Sequence, residues 1–510
     1  MSDQGTEGAT ERTSNAAGAI PLDSSRGRSI LAMAILGSAV AMLTSTVVGV
    51  ALPTIAAEFD ATSAQQTWVI NAYALPLAAL ILIGGSLGDR SGRLRVYRIG
   101  IIWFAVASLL CAVAWNVESL IAFRILQGIG GALLTPGSLA IIQATLRAED
   151  RGRGVGAWSG LGGIASAVGP LVGGLLVDAS WRWAFLINVP VAIAALVLSA
   201  RVPETRDNTA QDTRLDGAGA ALTVLMLGGL SYALIEGPND GWSTLDIAAG
   251  VIGVVAIPIL LRIERGRDHA MLPVDLFADR TFSVVNSLTF TVYGGMGVVF
   301  FLLPLQLQVT AGWSPLGAGA ALLPVTVMML LFSARAGDMA TRIGPRLPLT
   351  LGPLIVAAGM LLMLRVDASA SYVADVLPAA LVYGAGLAVM VAPLTATALG
   401  AAPSERAGAA SGVNNAVSRT GGLLLVAAVP SLVGLTGTAL SDPLALDEGF
   451  GRAVVVSVVV VAGSALIAFA LLPRTVDEPV DDEPDELTVV CSRCPVDGNV
   501  TTVVGAAAES

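Results

Sequence analysis

Lysine is missing from this sequence, and all 28 basic residues are arginine. The bias fits a GC-rich genome and carries no mechanism. Histidine occurs once, as His269 in a charged loop, which argues against histidine-based catalysis and against a multi-histidine metal site. Cysteine occurs three times. Cys111 lies in an apolar run and reads as a small packing residue. Cys491-Ser492-Arg493-Cys494 is a CxxC with no second pair or neighbouring histidine, half a zinc site at most, and reads as an incidental pair in a flexible tail. No metal and no cofactor is expected. Charged residues are scarce, 13% against 55% hydrophobic, which excludes a soluble globule of 510 residues, because so little polar surface cannot cover so much apolar side chain. The net charge of −10 indicates no nucleic-acid partner, because nine acids against two arginines lie from Pro473 onward, in a solvated end. Residues 1–28 have no apolar segment before a cleavage site, which excludes a removable signal peptide, and their Ser, Thr, Gly, Ala and Glu content predicts disorder.

What the chain has in abundance is long apolar runs. Crossing a bilayer core takes about 20 apolar residues, and about fourteen runs are long enough. They are 30–52, 66–87, 96–114, 118–142, 155–177, 183–201, 215–235, 246–263, 282–305, 317–335, 347–365, 374–398, 408–433 and 453–472. The linkers between them alternate in charge. Arg90, Arg93, Arg95 and Arg98 share one side with Arg147, Arg151 and Arg153, with Arg201, Arg206 and Arg214, with Arg262, Arg265, Arg267 and Arg280, with Arg342 and Arg346, and with Arg406. The other side holds Arg182, Arg365 and Arg452. The arginine-rich side is cytoplasmic by the positive-inside rule. Both termini are then cytoplasmic, which requires an even number of spans; twelve and fourteen both satisfy it. The chain also repeats. Pro53, Gly85, Asp89-Arg90 and Gly92 are matched by Pro304, Gly337, Thr341-Arg342 and Gly344, offset by about 252 residues. The expected organisation is an all-α integral membrane protein with two six-helix halves, 29–203 and 269–473. A two-helix insert with its flanking loops, 204–268, lies between them. The ends 1–28 and 474–510 are disordered and cytoplasmic.

Short motifs sit at fixed places on this frame. Gly85-x-Leu87-Gly88-Asp89-Arg90-x-Gly92-Arg93-x-Arg95 joins spans two and three. Leu120-x-x-x-Arg124-x-x-Gln127-Gly128-x-Gly130-Gly131-Ala132 lies in span four, and Gly169-Pro170-x-x-Gly173-Gly174 in span five. Trp181-Arg182-Trp183-Ala184-Phe185-Leu186-Ile187-Asn188-Val189-Pro190 opens span six. Ser314-Pro315 with Gly319, Pro393-Leu394-Thr395 and Arg406-Ala407-Gly408-Ala409-Ala410-Ser411-Gly412 follow in the second half. In order and spacing these motifs resemble the major facilitator superfamily, fourteen-span drug:proton antiporter branch, from Ser29 to Pro473. The resemblance implies the major facilitator fold and a cell (inner) membrane multidrug or antibiotic efflux transporter that is not an enzyme. It exports a small molecule through the lipid bilayer by alternating access in exchange for protons, as a monomer. It also implies roles for particular residues. Gly85, Asp89, Arg90, Gly92 and Arg93 form a conformational gate, in which the acid pairs across the half-to-half interface and holds the outward-facing state. A generic positive-inside loop needs neither the acid nor the glycines. Arg124 with Gln127 at i+3 is implicated in proton coupling, against the plainer reading of an arginine snorkelling to the helix end. Gly169, Pro170, Gly173 and Gly174, with Gly160 and Gly163, make the tight helix contact of antiporters, against ordinary small-residue packing.

Other polar points in apolar spans are Asn71, Tyr73, Tyr293, Gln306, Asn414, Asn415 and Arg419. They either line a substrate cavity or bond neighbouring helices. Trp68, Trp158 and Trp313 serve either the cavity or the interface belt. One departure from the branch stands out. Its span-one pattern carries an acid, and here Leu43-Thr44-Ser45-Thr46-Val47-Val48-Gly49-Val50-Ala51-Leu52-Pro53 has Thr44 at the acid position and Gly49 where Asn is usual. Glu118, Asp178, Asp216, Glu236 and Asp246 all sit near span ends. A proton carrier is therefore not evident, and neutral or anionic substrates suit the interior better than cations. The rival readings are a lipid or metabolite exporter or facilitator without proton coupling, and a membrane sensor that binds but does not transport.

Overall fold

The computed structural model describes residues 20–206, 216–265, 267, 271–403 and 406–473. His269, Arg214, Cys491 and Cys494 fall outside these. Among the described residues there is no β-strand, and the sixteen α-helices are α1 (Ser25–Phe59), α2 (Ser63–Ser91), α3 (Arg93–Ala112), α4 (Val117–Thr145), α5 (Ala148–Val177), α6 (Trp183–Leu186), α7 (Asn188–Ser199), α8 (Gly217–Asp240), α9 (Thr244–Glu264), α10 (Arg280–Leu305), α11 (Pro315–Ala320), α12 (Leu323–Ile343), α13 (Arg346–Leu362), α14 (Leu377–Gly400), α15 (Ala407–Leu432) and α16 (Pro443–Leu471). Among the described residues, eleven helical segments are long and apolar enough to cross a membrane. α5, α6 with α7, and α15 stand at the places of the other three expected spans.

Helix starts follow the sequence closely. Thr62 with Gln65, Asn116 with Ser119, and Ser243 with Asp246 form reciprocal caps that satisfy the first free amides of α2, α4 and α9. Tight linkers turn the chain at the membrane boundary, with Asp60 at φ 49° between α1 and α2 and Gly92 at φ 109° between α2 and α3. The surface is apolar where a soluble protein's would be polar. Ile99, Ile102, Val106 and Leu109 on α3 are exposed, as are Val251, Val254 and Val255 on α9 and Val459, Leu466 and Phe469 on α16. A multi-pass membrane protein has this belt because lipid, not water, covers it.

The helices pack in two groups of matching build. In the first, α2 and α3 both lie on α4, α1 lies on α5 and α7, and α3 lies on α7. In the second, α12 and α13 lie on α14, α10 lies on α15 and α16, and α13 lies on α16. Glycine makes equivalent close approaches in each. A Cβ on Gly100 would stand 3.2 Å from the Gly130 carbonyl oxygen between α3 and α4, and one on Gly352 would stand 3.2 Å from the Gly386 carbonyl oxygen between α13 and α14. α8 fills the outside of the α2–α15 contact and α9 packs on α8, where Gly229 and Gly253 let the backbones meet.

The N-terminal edge differs from the expected disorder. Ile20 pairs with Leu146 in an isolated parallel bridge, and its amide donates to the Thr145 carbonyl (2.9 Å). Leu22 is buried and its amide donates to Asp150 Oδ2 at 2.9 Å; α1 then begins at Ser25 rather than near Ser29. The cause is local. Thr145 and Leu146 end α4 with a free backbone edge, and a four-residue strap of Ile20, Pro21, Leu22 and Asp23 satisfies it.

Candidate functional site

The loop motif is built around a hidden partner. Asp89 sits in the last turn of α2 and accepts from Arg93 Nε at 2.7 Å, within its own loop. Arg90 is exposed. Gly85 faces Pro136 of α4. Gly92 is required twice over, by its positive φ and by Glu204, whose carboxylate would lie 2.8 Å from a Cβ there. Glu204 accepts from the Leu94 and Arg95 amides at 2.9 and 3.0 Å and so caps α3. Sequence reading missed this acid; its position just after span six was the available signal.

In the first bundle, Arg124 is 1% exposed. It does not snorkel: Nε donates to the Val69 carbonyl at 3.0 Å, Nη1 donates to Gln127 Oε1 at 2.6 Å, and the guanidinium lies 4.4 Å from the Tyr73 ring centroid. The network continues. Gln127 Nε2 donates to Ser108 Oγ (2.8 Å), Asn188 Nδ2 approaches the same oxygen (3.4 Å), and Thr44 Oγ1 donates to Asn188 Oδ1 (3.0 Å). Thr44, at the position of the missing acid, is thus wired to Arg124 through neutral groups. Ser108 and Asn188 had been given no role, although a polar residue in an apolar run is a signal for each. Glu118 is exposed at the start of α4 and accepts from Gln65, far from this centre.

The span-five glycines meet two partners. A Cβ on Gly169 would stand 2.2 Å from Thr46 Oγ1, and one on Gly173 would stand 3.0 Å from Val47 Cγ1, both on α1. Gly174 instead faces the other bundle, with Leu316 Cα at 2.5 Å from its Cβ position, and Gly319 returns the contact at 2.0 Å from the Pro170 carbonyl oxygen. The α5–α11 crossing is backbone on backbone. Gly160 has nothing within 4 Å and takes no part. Beyond this crossing α12 packs on α14 but is otherwise little covered: Val325 and Ala336 are its buried residues.

The remaining candidates divide. Asn71 donates to the Leu423 carbonyl (3.3 Å) and joins α2 to α15. Tyr73 donates to the Ala41 carbonyl (3.0 Å). Asn414 donates to Asn286 (3.2 Å) and Thr289 (2.9 Å), linking α15 to α10. Gln306 is fully buried and donates to the Val366 carbonyl (2.8 Å) and Asp447 (2.6 Å), so it ties helix ends together. Asn415 is exposed and bonds its own helix at Ser411. Arg419 and Tyr293 are partly exposed at the centre, and Arg419 lies within electrostatic reach of Tyr293 and Tyr73. Trp68 donates to Glu236 (2.7 Å), Trp158 donates to Ser38 (2.9 Å), and Trp313 stacks obliquely near Tyr372. Trp181 is buried beneath Arg182, and both bond Glu58 at the end of α1, which explains the Trp-Arg-Trp segment as a helix-end clamp. Cys111 is buried in the core.

Two helical bundles of like build, meeting along α2 and α15 where Arg419 lies and crossing closely at the α5–α11 contact, define a membrane transporter rather than an enzyme. The chain belongs to the Major Facilitator Superfamily, whose family model matches residues 34–426. Among curated proteins it is 32% identical to the puromycin resistance protein of Streptomyces alboniger, over 89% of this chain and 92% of that one. It is also 32% identical to the tetracenomycin C resistance and export protein of Streptomyces glaucescens (79% of this chain, 76% of that one), and 31% identical to the uncharacterized MFS-type transporter EfpA of Mycobacterium tuberculosis (77% and 74%). Solved structures show the same fold at low identity. A peptide transporter matches at TM-score 0.65 and 15% identity, covering 90% of this chain and 99% of that one. A D-xylose–proton symporter matches at 0.59 and 18%, covering 88% and 98%.

Proposed function

We propose that this protein is a secondary active exporter of a small, mostly apolar drug or antibiotic-like metabolite, acting as a monomer in the cell membrane with both termini cytoplasmic. Its halves are 29–203 and 269–473, joined by the two-helix insert 204–268, and fourteen spans cross the bilayer. The observation that carries the reading is the lopsided meeting of the bundles. α5 and α11 touch backbone to backbone at the end bearing Gly174, while α12 is left largely uncovered toward the end bearing Asp89. With the arginine-rich loops inside, the closed end is outer and the cavity faces the cytoplasm. Rocking about the α2–α15 contact then opens α5 from α11. Asp89, now paired only within its loop, becomes free to latch the opposite state. Gly85, Arg90, Gly92 and Arg93 shape that gate, and Arg124 with Gln127 couples protons. The resistance and export names of the similar proteins support the same direction and substrate type.

The neutral wiring of Thr44 to Asn188 supports a second reading, export or facilitation without proton coupling, because among the described residues no carboxylate lies in this network to titrate. One experiment separates them: a susceptibility panel of diverse antibiotics in an efflux-deficient host, with and without an uncoupler. Raised resistance that the uncoupler removes supports proton-driven export. Resistance that survives it supports the second reading, and an unchanged panel refutes drug export.

A further inference from the structure

The two intramembrane arginines are provided for very differently. Arg124 is enclosed and its donors are taken by Val69 and Gln127. Arg419, midway along α15, has a buried Nε with no hydrogen-bond partner, yet its side chain is partly exposed at the centre. Among the described residues, the titratable groups within its electrostatic reach are Tyr73 of α2 and Tyr293 of α10, so it is faced from both halves by hydroxyls and by no carboxylate. Tyr73 is already committed, with its hydroxyl donated to the Ala41 carbonyl and its ring under Arg124. Tyr293 is partly exposed beside the site. The acids of the membrane segments lie in the end turns of their helices, Glu236 and Asp338 included, and none is within electrostatic reach of Arg419.

A guanidinium held in a low-dielectric centre calls for an acceptor and a counter-charge. Its planar fork matches a carboxylate in two parallel hydrogen bonds. Here neither is supplied by the chain, and the orphan donor sits where the two halves meet.

We propose that Arg419 is the anion-recognition point of the central site, and that the transported molecule carries a carboxylate on an apolar body, with the Tyr293 hydroxyl beside it. This rests on the transport reading above and narrows its substrate class.

The test uses the full-length protein in phosphatidylcholine nanodiscs, titrated with 11-(dansylamino)undecanoic acid and with its methyl ester. Wild type is expected to bind the acid about tenfold or more tightly than the ester, the range of a hydrogen-bonded charge contact. Arg419→Gln is expected to bind the two alike, with ester affinity retained, which also shows that it is folded. Arg419→Lys keeps the charge without the fork and restores part of the preference. Equal binding by wild type, no binding of the acid, or a preference that survives in Arg419→Gln overturns the proposal. Discs containing phosphatidylglycerol identify the source of the anion: loss of acid binding there, in wild type alone, assigns the site to a lipid headgroup rather than a free carboxylate. Efflux is measured separately. A wild type that binds the acid selectively but exports nothing sinks the transport reading while leaving the anion site standing.

Discussion

Replacing Gly174 by Ala tests the closed end directly. The added Cβ would stand 2.5 Å from Leu316 Cα and 2.6 Å from the Pro315 carbonyl oxygen. Carbon atoms pack at about 3.5–4.0 Å. α5 and α11 must therefore part by about 1 Å, and because the atoms met are backbone, no side chain can swing aside. Overpacking of this kind costs about 1–3 kcal/mol. If the crossing exists only in the closed-end state, the cost falls on that state alone and shifts the equilibrium by about 5- to 150-fold toward its opposite. Ala318, 3% exposed on α11 beside Gly319 at the crossing, is the reporter position. With Cys111, Cys491 and Cys494 replaced by Ser, Ala318→Cys is alkylated by a membrane-impermeant maleimide added outside. Adding Gly174→Ala is expected to raise the labelling rate at least about fivefold. An unchanged rate in a protein of unchanged melting temperature refutes the seal.

Three further outcomes are expected. Asp89→Asn abolishes export while the protein remains in the membrane at wild-type level; wild-type efflux from that variant removes the latch. Arg124→Ala strips donors from the Val69 carbonyl and Gln127 and eliminates efflux driven by a pH gradient in everted vesicles, whereas undiminished pH-driven transport places coupling elsewhere. Gly92→Ala forces a side chain into φ 109° and against Glu204, costing about 1–3 kcal/mol, so the melting temperature falls; pairing it with Glu204→Ala recovers the steric part, and equal melting of the wild type and both variants contradicts the capping geometry.

The membrane class, the duplicated halves and the places of most helices were legible because each rests on a local or periodic property. Twenty-residue apolar runs, arginine at alternate linkers and a repeat near 252 residues need no knowledge of distant contacts. Helix starts were legible for the same reason, since a cap satisfies amides three residues away. Residues 20–28 were misjudged because their order comes from the end of α4, more than a hundred positions along, and composition alone does not see it.

The candidate site was legible in its residue types but not in its partnerships. The sequence by itself marked Arg124, Gln127, Arg419, Asp89 and the span-five glycines, because charge or backbone exposure inside an apolar helix is costly wherever it occurs. It did not separate Gln306 and Asn414, which bond neighbouring helices, from Arg419, whose Nε is left without a partner. Nor did it join Thr44 to Arg124, or Glu204 to Gly92. Those decisions belong to the tertiary structure. A hydrogen bond or a Cβ clash is settled over about 3 Å, and it joins residues far apart in the chain, 110 positions for Leu94 and Glu204 and 144 for Thr44 and Asn188.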